Sequence, residues 1–142
     1  AMIEGHCLCG AVTIRVADHG GFTGACHCRM CQRWSGALFV SFNAPADAVT
    51  VTGPVARYQS TPFAERAFCA TCGSHLWMRN TDRTDAPYDL MPGLFDAARD
   101  IPLKSEIYTD RALPGLALQG DHRRATRAEY EAKNLHIEGD AP

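Results

Sequence analysis

Seven cysteines in 142 residues fall into three short clusters. They are Cys7-Leu8-Cys9-Gly10, Cys26-His27-Cys28-Arg29-Met30-Cys31 and Cys69-Ala70-Thr71-Cys72-Gly73. This spacing constrains the fold more than any other feature, because thiols two or three residues apart can converge on one point. In a strand, residues i and i+2 project to the same face, and in a tight turn a Cys-x-x-Cys pair does likewise. The glycines after Cys9 and Cys72 suit a backbone that turns sharply, with positive φ, so that amides approach the sulfurs. An odd count without a basic and then apolar secretory segment favours reduced thiols over a disulfide scaffold.

Paired thiolates separated in sequence are a donor set suited to zinc, which accepts sulfur tetrahedrally and needs no redox partner. The two glycine-ended pairs, Cys7 with Cys9 and Cys69 with Cys72, are assigned to one closed, structural ion. Cys26, Cys28 and Cys31 are then left to bind a second ion with three ligands and one open position, the pattern of a catalytic site. Two zinc ions per chain are therefore expected. Other partitions stay open at this level: the central triple joining one knuckle, or an iron-sulfur cluster on four of the seven thiols. If Cys26 and Cys28 share a strand face, His27 points to the other and is not a ligand. His6 and His75 read as groups supporting the closed site or as surface residues, and His19, His122 and His136 as solvated.

Hydrophobic residues make up 46% of the chain, enough for one core. A single domain over 2–135 and a flexible tail over 136–142 are expected, with Ala1 ahead of Met2 read as a tag remnant. Fourteen basic residues against 16 acidic ones give a net charge of -2, which supplies no general attraction to nucleic acid or to anionic membranes. No stretch approaches the about 20 apolar residues of a membrane span, and a cytoplasmic location is expected. Runs of period-two alternation at 12–16, 38–42, 49–52, 56–60, 74–79 and 105–108, set off by Gly53-Pro54 and Thr61-Pro62, predict a small, mainly β domain of antiparallel sheet. Single helical turns are expected at 47–49 and 96–99, and a surface helix over 121–134. The aromatic side chains of Trp34, Phe39 and Phe42 are expected in the core.

Gly5-His6-Cys7-Leu8-Cys9-Gly10-Ala11-Val12, the run from Cys26 to Ala37, and Arg66-Ala67-Phe68-Cys69-Ala70-Thr71-Cys72-Gly73-Ser74-His75-Leu76 resemble the signature of the glutathione-dependent formaldehyde-activating enzyme family, which includes centromere protein V. Gly93-Leu94-Phe95-Asp96 and Pro102 echo a later family segment. The resemblance implies a β-tent fold, structural zinc on the outer pairs and catalytic zinc on the middle triple. It also implies condensation of glutathione with formaldehyde to S-(hydroxymethyl)glutathione, a carbon-sulfur lyase reaction in reverse. Glutathione carries two carboxylates, and Arg29, Arg33 and Arg66 lie closest in sequence to the metal motifs as partners for them. Ser35 and Gly36 follow the triple and are placed to shape its open face. The competing reading is a non-catalytic zinc module that binds protein or nucleic acid. The general acid and the oligomeric state are not legible in the sequence.

Overall fold

A computed structural model describes residues 2–139. The chain gathers into two compact units, one built from residues up to Phe22 and from Ser41 to Pro102, the other from Thr23–Val40 and from Leu103 onward.

In the first unit, β1 (Ile3–His6), β2 (Thr13–Val16) and β5 (Val49–Thr52) form an antiparallel sheet in the order β1-β2-β5. Alternation dictates its faces: Ile14 and Val16 are buried while Arg15 is exposed, and they stand opposite Val51 and Val49. The last residues of β4 (Phe39–Ala44) pair antiparallel with β9 (Tyr88–Leu90). From β9 the sheet continues through β8 (His75–Asn80) and β7 (Ala64–Cys69) to β6 (Val55–Thr61). Leu76, Trp77, Leu90, Phe42 and Phe95 join the two buried cysteines Cys7 and Cys69 in the apolar core. Phe42 and Phe95 meet edge to face at 5.3 Å. Trp77 lies edge-on to Tyr88 at 5.1 Å and donates its indole N–H to Glu65 at 3.0 Å, so a large buried ring keeps its polar atom satisfied.

Gly53 turns the chain between β5 and β6 at φ 116°. A Cβ there would stand 2.1 Å from the Ala11 carbonyl oxygen. Gly53→Ala therefore combines positive-φ strain with overlap against backbone, and is expected to lower stability by about 2–4 kcal/mol. A urea unfolding midpoint equal to that of the unsubstituted protein would contradict this account of the turn.

In the second unit, β3 (Thr23–Cys26) and β11 (Arg123–Ala125) both pair parallel with β10 (Leu103–Ile107). The sheet is mainly antiparallel, as expected, and these two pairings are parallel additions to it: the long crossovers between their strands provide the dozen or more residues that a parallel connection needs. Cys28 caps α1 (Arg29–Ser35), its sulfur accepting the Cys31 amide, and Gly36 ends the helix at φ 92°. The helix expected over 121–134 is shorter. Residues 123–125 pair in β11, and α2 (Arg127–Lys133) begins at a capping box in which Thr126 and Glu129 satisfy each other's backbone amides. Of the expected tail, 140–142 lie outside the described residues, while Gly139 is buried. Its amide donates to Glu131 at 3.2 Å and its carbonyl accepts from the Arg29 amide at 3.0 Å. No helix among the described residues is long and apolar enough to cross a membrane.

Candidate metal centres

The sulfurs of Cys7, Cys9, Cys69 and Cys72 all lie within 4.8 Å of one another, in the first unit. Two turns of similar construction bring them there. After β1, Gly10 takes φ 80° and its amide donates to the Cys7 carbonyl at 3.1 Å; after β7, Gly73 takes φ 79° and its amide donates to the Cys69 carbonyl at 2.9 Å. A register shift between Ala67 and Phe68 disturbs the β7–β8 ladder just before Cys69 enters its turn. The sulfurs collect backbone N–H groups: Val12 donates to Cys7 at 3.3 Å, and Thr71 and Cys72 donate to Cys69 at 3.4 and 3.5 Å. Ser74 links the turns, its hydroxyl accepting the Leu8 amide and lying 3.2 Å from Cys72 Sγ.

These four sulfurs fit a tetrahedral ion. A Zn–S bond of about 2.3 Å sets tetrahedral sulfurs about 3.8 Å apart, and Cys7 stands 3.6 Å from Cys9, which stands 3.9 Å from Cys69. None of the seven cysteines, all of them among the described residues, is in a disulfide. Electrostatics gives the group a mixed character. The Ser74 hydroxyl and amide bring the Cys72 thiol down to about 5. At Cys9 the Ala11 amide acts to lower the thiol, but burial and the neighbouring sulfurs outweigh it and push the group up to about 11. Burial acts against ionisation of Cys7, yet its hydrogen bonds from Val12, Cys9 and Cys69 leave that thiol lowered. Sulfurs this close cannot all shed their protons unless a cation offsets the accumulated charge.

The second group is Cys26, Cys28 and Cys31, also within 4.8 Å of one another and confined to the second unit. Among the described residues, no fourth Cys, His, Asp or Glu joins them. The premise that Cys26 and Cys28 share a strand face is overturned. Cys26 ends β3, whereas Cys28 is the helix cap and Cys31 lies in the first turn of α1. The Cys28 amide donates to Cys26 Sγ at 3.5 Å and the Cys31 amide to Cys28 Sγ at 3.4 Å. Contacts with the sulfurs of Cys28 and Cys31, reinforced by burial, raise the Cys26 thiol well above its ordinary value. The three thiols thus carry the same demand for a cation as the four.

His27, between the first two thiols, is fully buried, and its Nε2 donates to Glu106 Oε2 at 2.6 Å. The other carboxylate oxygen of Glu106 accepts from His122 Nε2 at 2.7 Å, with Arg124 Nε 3.5 Å away. Burial works to raise the Glu106 carboxyl, but hydrogen bonds from His122 and His27 win and hold it below the usual range. The reading of His122 as solvated is corrected: its side chain is only 2% exposed. Its polar sequence neighbours conceal this, since burial comes from β10, which is distant in sequence. Glu106 was missed for a similar reason, as a lone glutamate in a short alternating run carries no sign of a buried partner. His6 and His136 are exposed, and His19 is half-buried against Phe42. Tyr108, another residue without a sequence signal, takes φ 55° and is 1% exposed. Burial and the hydrogen bond to Glu131 push its phenol well above the ordinary range.

The expected substrate residues fall into different settings. Arg29 and Arg33 are exposed one turn apart on α1. Ser35 spends its hydroxyl on the Cys31 carbonyl at 2.6 Å, and Arg66 is buried on β7 in the first unit. Phe39 and Phe42 are buried, and half-buried Trp34 lies 6.2 Å from Phe39.

Comparison with known proteins follows these motifs. Over 108 residues the chain is 31% identical to an uncharacterized lyase of Schizosaccharomyces pombe, a match spanning 75% of this chain and 78% of that protein. Over 87 residues it is 33% identical to a Halomonas elongata protein provisionally named a glutathione-dependent formaldehyde-activating enzyme; here the match spans 54% of this chain and about half, 55%, of the relative. The fold resembles that of a crystallised Rhodobacter sphaeroides protein, with a TM-score of 0.55 at 21% identity, covering 86% of this chain and 99% of the other. The model of the family described as glutathione-dependent formaldehyde-activating enzyme matches residues 2–111. Both thiol groups fall within that match, and the chain belongs to the glutathione-dependent formaldehyde-activating enzyme family.

Proposed function

We propose that this protein is a zinc-dependent carbon-sulfur lyase-type enzyme that acts on a glutathione adduct or a related thiol and aldehyde pair. One observation carries the reading: three thiols converge in the second unit without a fourth Cys, His, Asp or Glu among the described residues. Cys26, Cys28 and Cys31 would hold one zinc ion, and Cys7, Cys9, Cys69 and Cys72 a second, structural one. Zinc at the triple would supply Lewis acidity, favouring the deprotonated form of an incoming thiol. In the forward direction the glutathione sulfur forms a bond to the formaldehyde carbon, and the thiol proton ends on the former carbonyl oxygen. The chain's own part is to bind and orient. Amides of Cys28 and Cys31 donate to the sulfurs that define the site, and exposed Arg29 and Arg33 offer cationic partners for the carboxylates of glutathione. Cysteines outside any disulfide in both groups suit a reducing compartment such as the cytoplasm.

Cobalt substitution tests the reading directly. Glutathione added to the cobalt-loaded protein is expected to change the thiolate-to-cobalt absorption of one ion and leave that of the other. Spectra indifferent to glutathione and to other small thiols would remove the basis for the proposal.

A further inference from the structure

His27 is the single residue between Cys26, the last of β3, and Cys28, the cap of α1. The chain changes there from strand to helix, so the conformation of this residue sets the angle between the two flanking thiols. Each end of it is held. Its amide donates to the Ile107 carbonyl at 3.1 Å, its carbonyl accepts from Gln32 Nε2 at 2.8 Å, and its imidazole donates to Glu106 at 2.6 Å. Gln32 is itself anchored, its amide nitrogen also donating to the Arg111 carbonyl at 2.6 Å. Glu106 is anchored by His122 at 2.7 Å.

Stability alone does not account for this cluster. The side chains of His27, Glu106 and His122 are 0%, 3% and 2% exposed. Burying a carboxylate with two imidazoles is seldom better for folding than well-packed apolar residues of the same volume. Nδ1 of His27 is also buried with no hydrogen-bond partner among the described residues, which works against folding. What the arrangement does provide is direction. A ring fixed through Nε2, on a backbone fixed through both its N–H and C=O, leaves the Cys-x-Cys segment little freedom.

We infer that Glu106, braced by His122, and Gln32 are positioning residues that lock His27 and thereby aim Cys26 and Cys28 at a common metal. The inference rests on the reading of the triple as a metal site, and the experiment separates the two. The zinc-loaded protein is titrated with a chromogenic chelator, and the release of each ion is followed to give two affinities. Glu106→Gln keeps the side-chain volume but turns an NH2 toward one of the two imidazole N–H groups. It is expected to weaken zinc at the triple by about 10- to 100-fold, the usual effect of removing an outer partner that orients ligands. Affinity at the four-thiol site should stay within about twofold, because Glu106 makes no contact with its sulfurs and sites without shared partners act independently.

Equal loss at both sites would mark Glu106 as a general structural residue and overturn the inference, as would unchanged affinity at the triple. If the unsubstituted protein releases only one zinc, the metal reading of the triple falls instead. Should Glu106→Gln fail to fold, Gln32→Ala decides by the same criterion. Selective weakening of the triple supports the inference, and unchanged or equal affinities sink it.

Discussion

Cys69→Ala is expected to lose one zinc ion and, with it, the cooperative fold of the first unit. Cys69 is 1% exposed and sits both in the closed group of four sulfurs and in the apolar core beside Leu76 and Trp77. A structural zinc contributes about 10–16 kcal/mol of apparent binding energy in small metal-stabilised folds. That matches or exceeds the about 5–15 kcal/mol by which whole domains are stable. The substitution therefore removes more than this unit has in reserve, and chelation of both ions should have the same result. Metal content by atomic emission should fall from about two to about one, with loss of the near-ultraviolet circular dichroism of buried Trp77. A variant that keeps two ions or a native unfolding midpoint would refute the structural assignment of this site.

Cys28→Ala is expected to give the opposite pairing of effects, with one ion lost and the fold retained. Cys28 contributes a sulfur to the triple and caps α1, so its removal opens the proposed metal site and weakens a short helix. Loss of a helix cap costs about 1 kcal/mol, which a folded domain tolerates. Loss of a Lewis acid removes several kcal/mol from the transition state, at about 1.4 kcal/mol per tenfold in rate. The rate of S-(hydroxymethyl)glutathione formation above the spontaneous reaction should therefore fall about 1,000-fold or more, with an unfolding midpoint close to that of the parent. Retention of that rate in a variant carrying a single zinc would show that the chemistry lies elsewhere. Set against the result expected for Cys69→Ala, this outcome would give the two thiol groups separate jobs.

Much of the thiol arrangement is legible along the chain because it is local. Gly10 and Gly73 adopt the positive φ their places after Cys9 and Cys72 call for, and the two turns they form are built from neighbours in sequence. The alternating runs likewise foretell β2, β4, β5, β6, β8 and β10 to within a few residues, since period-two burial survives wherever one sheet face meets a core. β1 and β3 escape although their burial alternates, because the buried positions are Gly5, Thr23 and Ala25, whose side chains give no strong apolar signal, and β9 is only three residues long. In β7, Ala64, Arg66, Ala67 and Cys69 are all buried, which breaks the alternation. α1 escapes because its cap is a sulfur in the place where serine or aspartate is the usual start signal.

By itself the sequence determined which sulfurs could converge, since two or three residues of separation fix how far apart thiols can point, and it determined a mainly β chain through its alternation. Only the tertiary structure decided how Cys26 and Cys28 are aimed. The hinge between them is held by a carboxylate 79 residues away, itself held by a histidine 16 residues further on. Those contacts depend on the parallel register that sets Ile107 beside Cys26 and Arg124 beside Glu106. Strand register is a property of long-range pairing, in which buried polar groups find partners that local spacing does not encode.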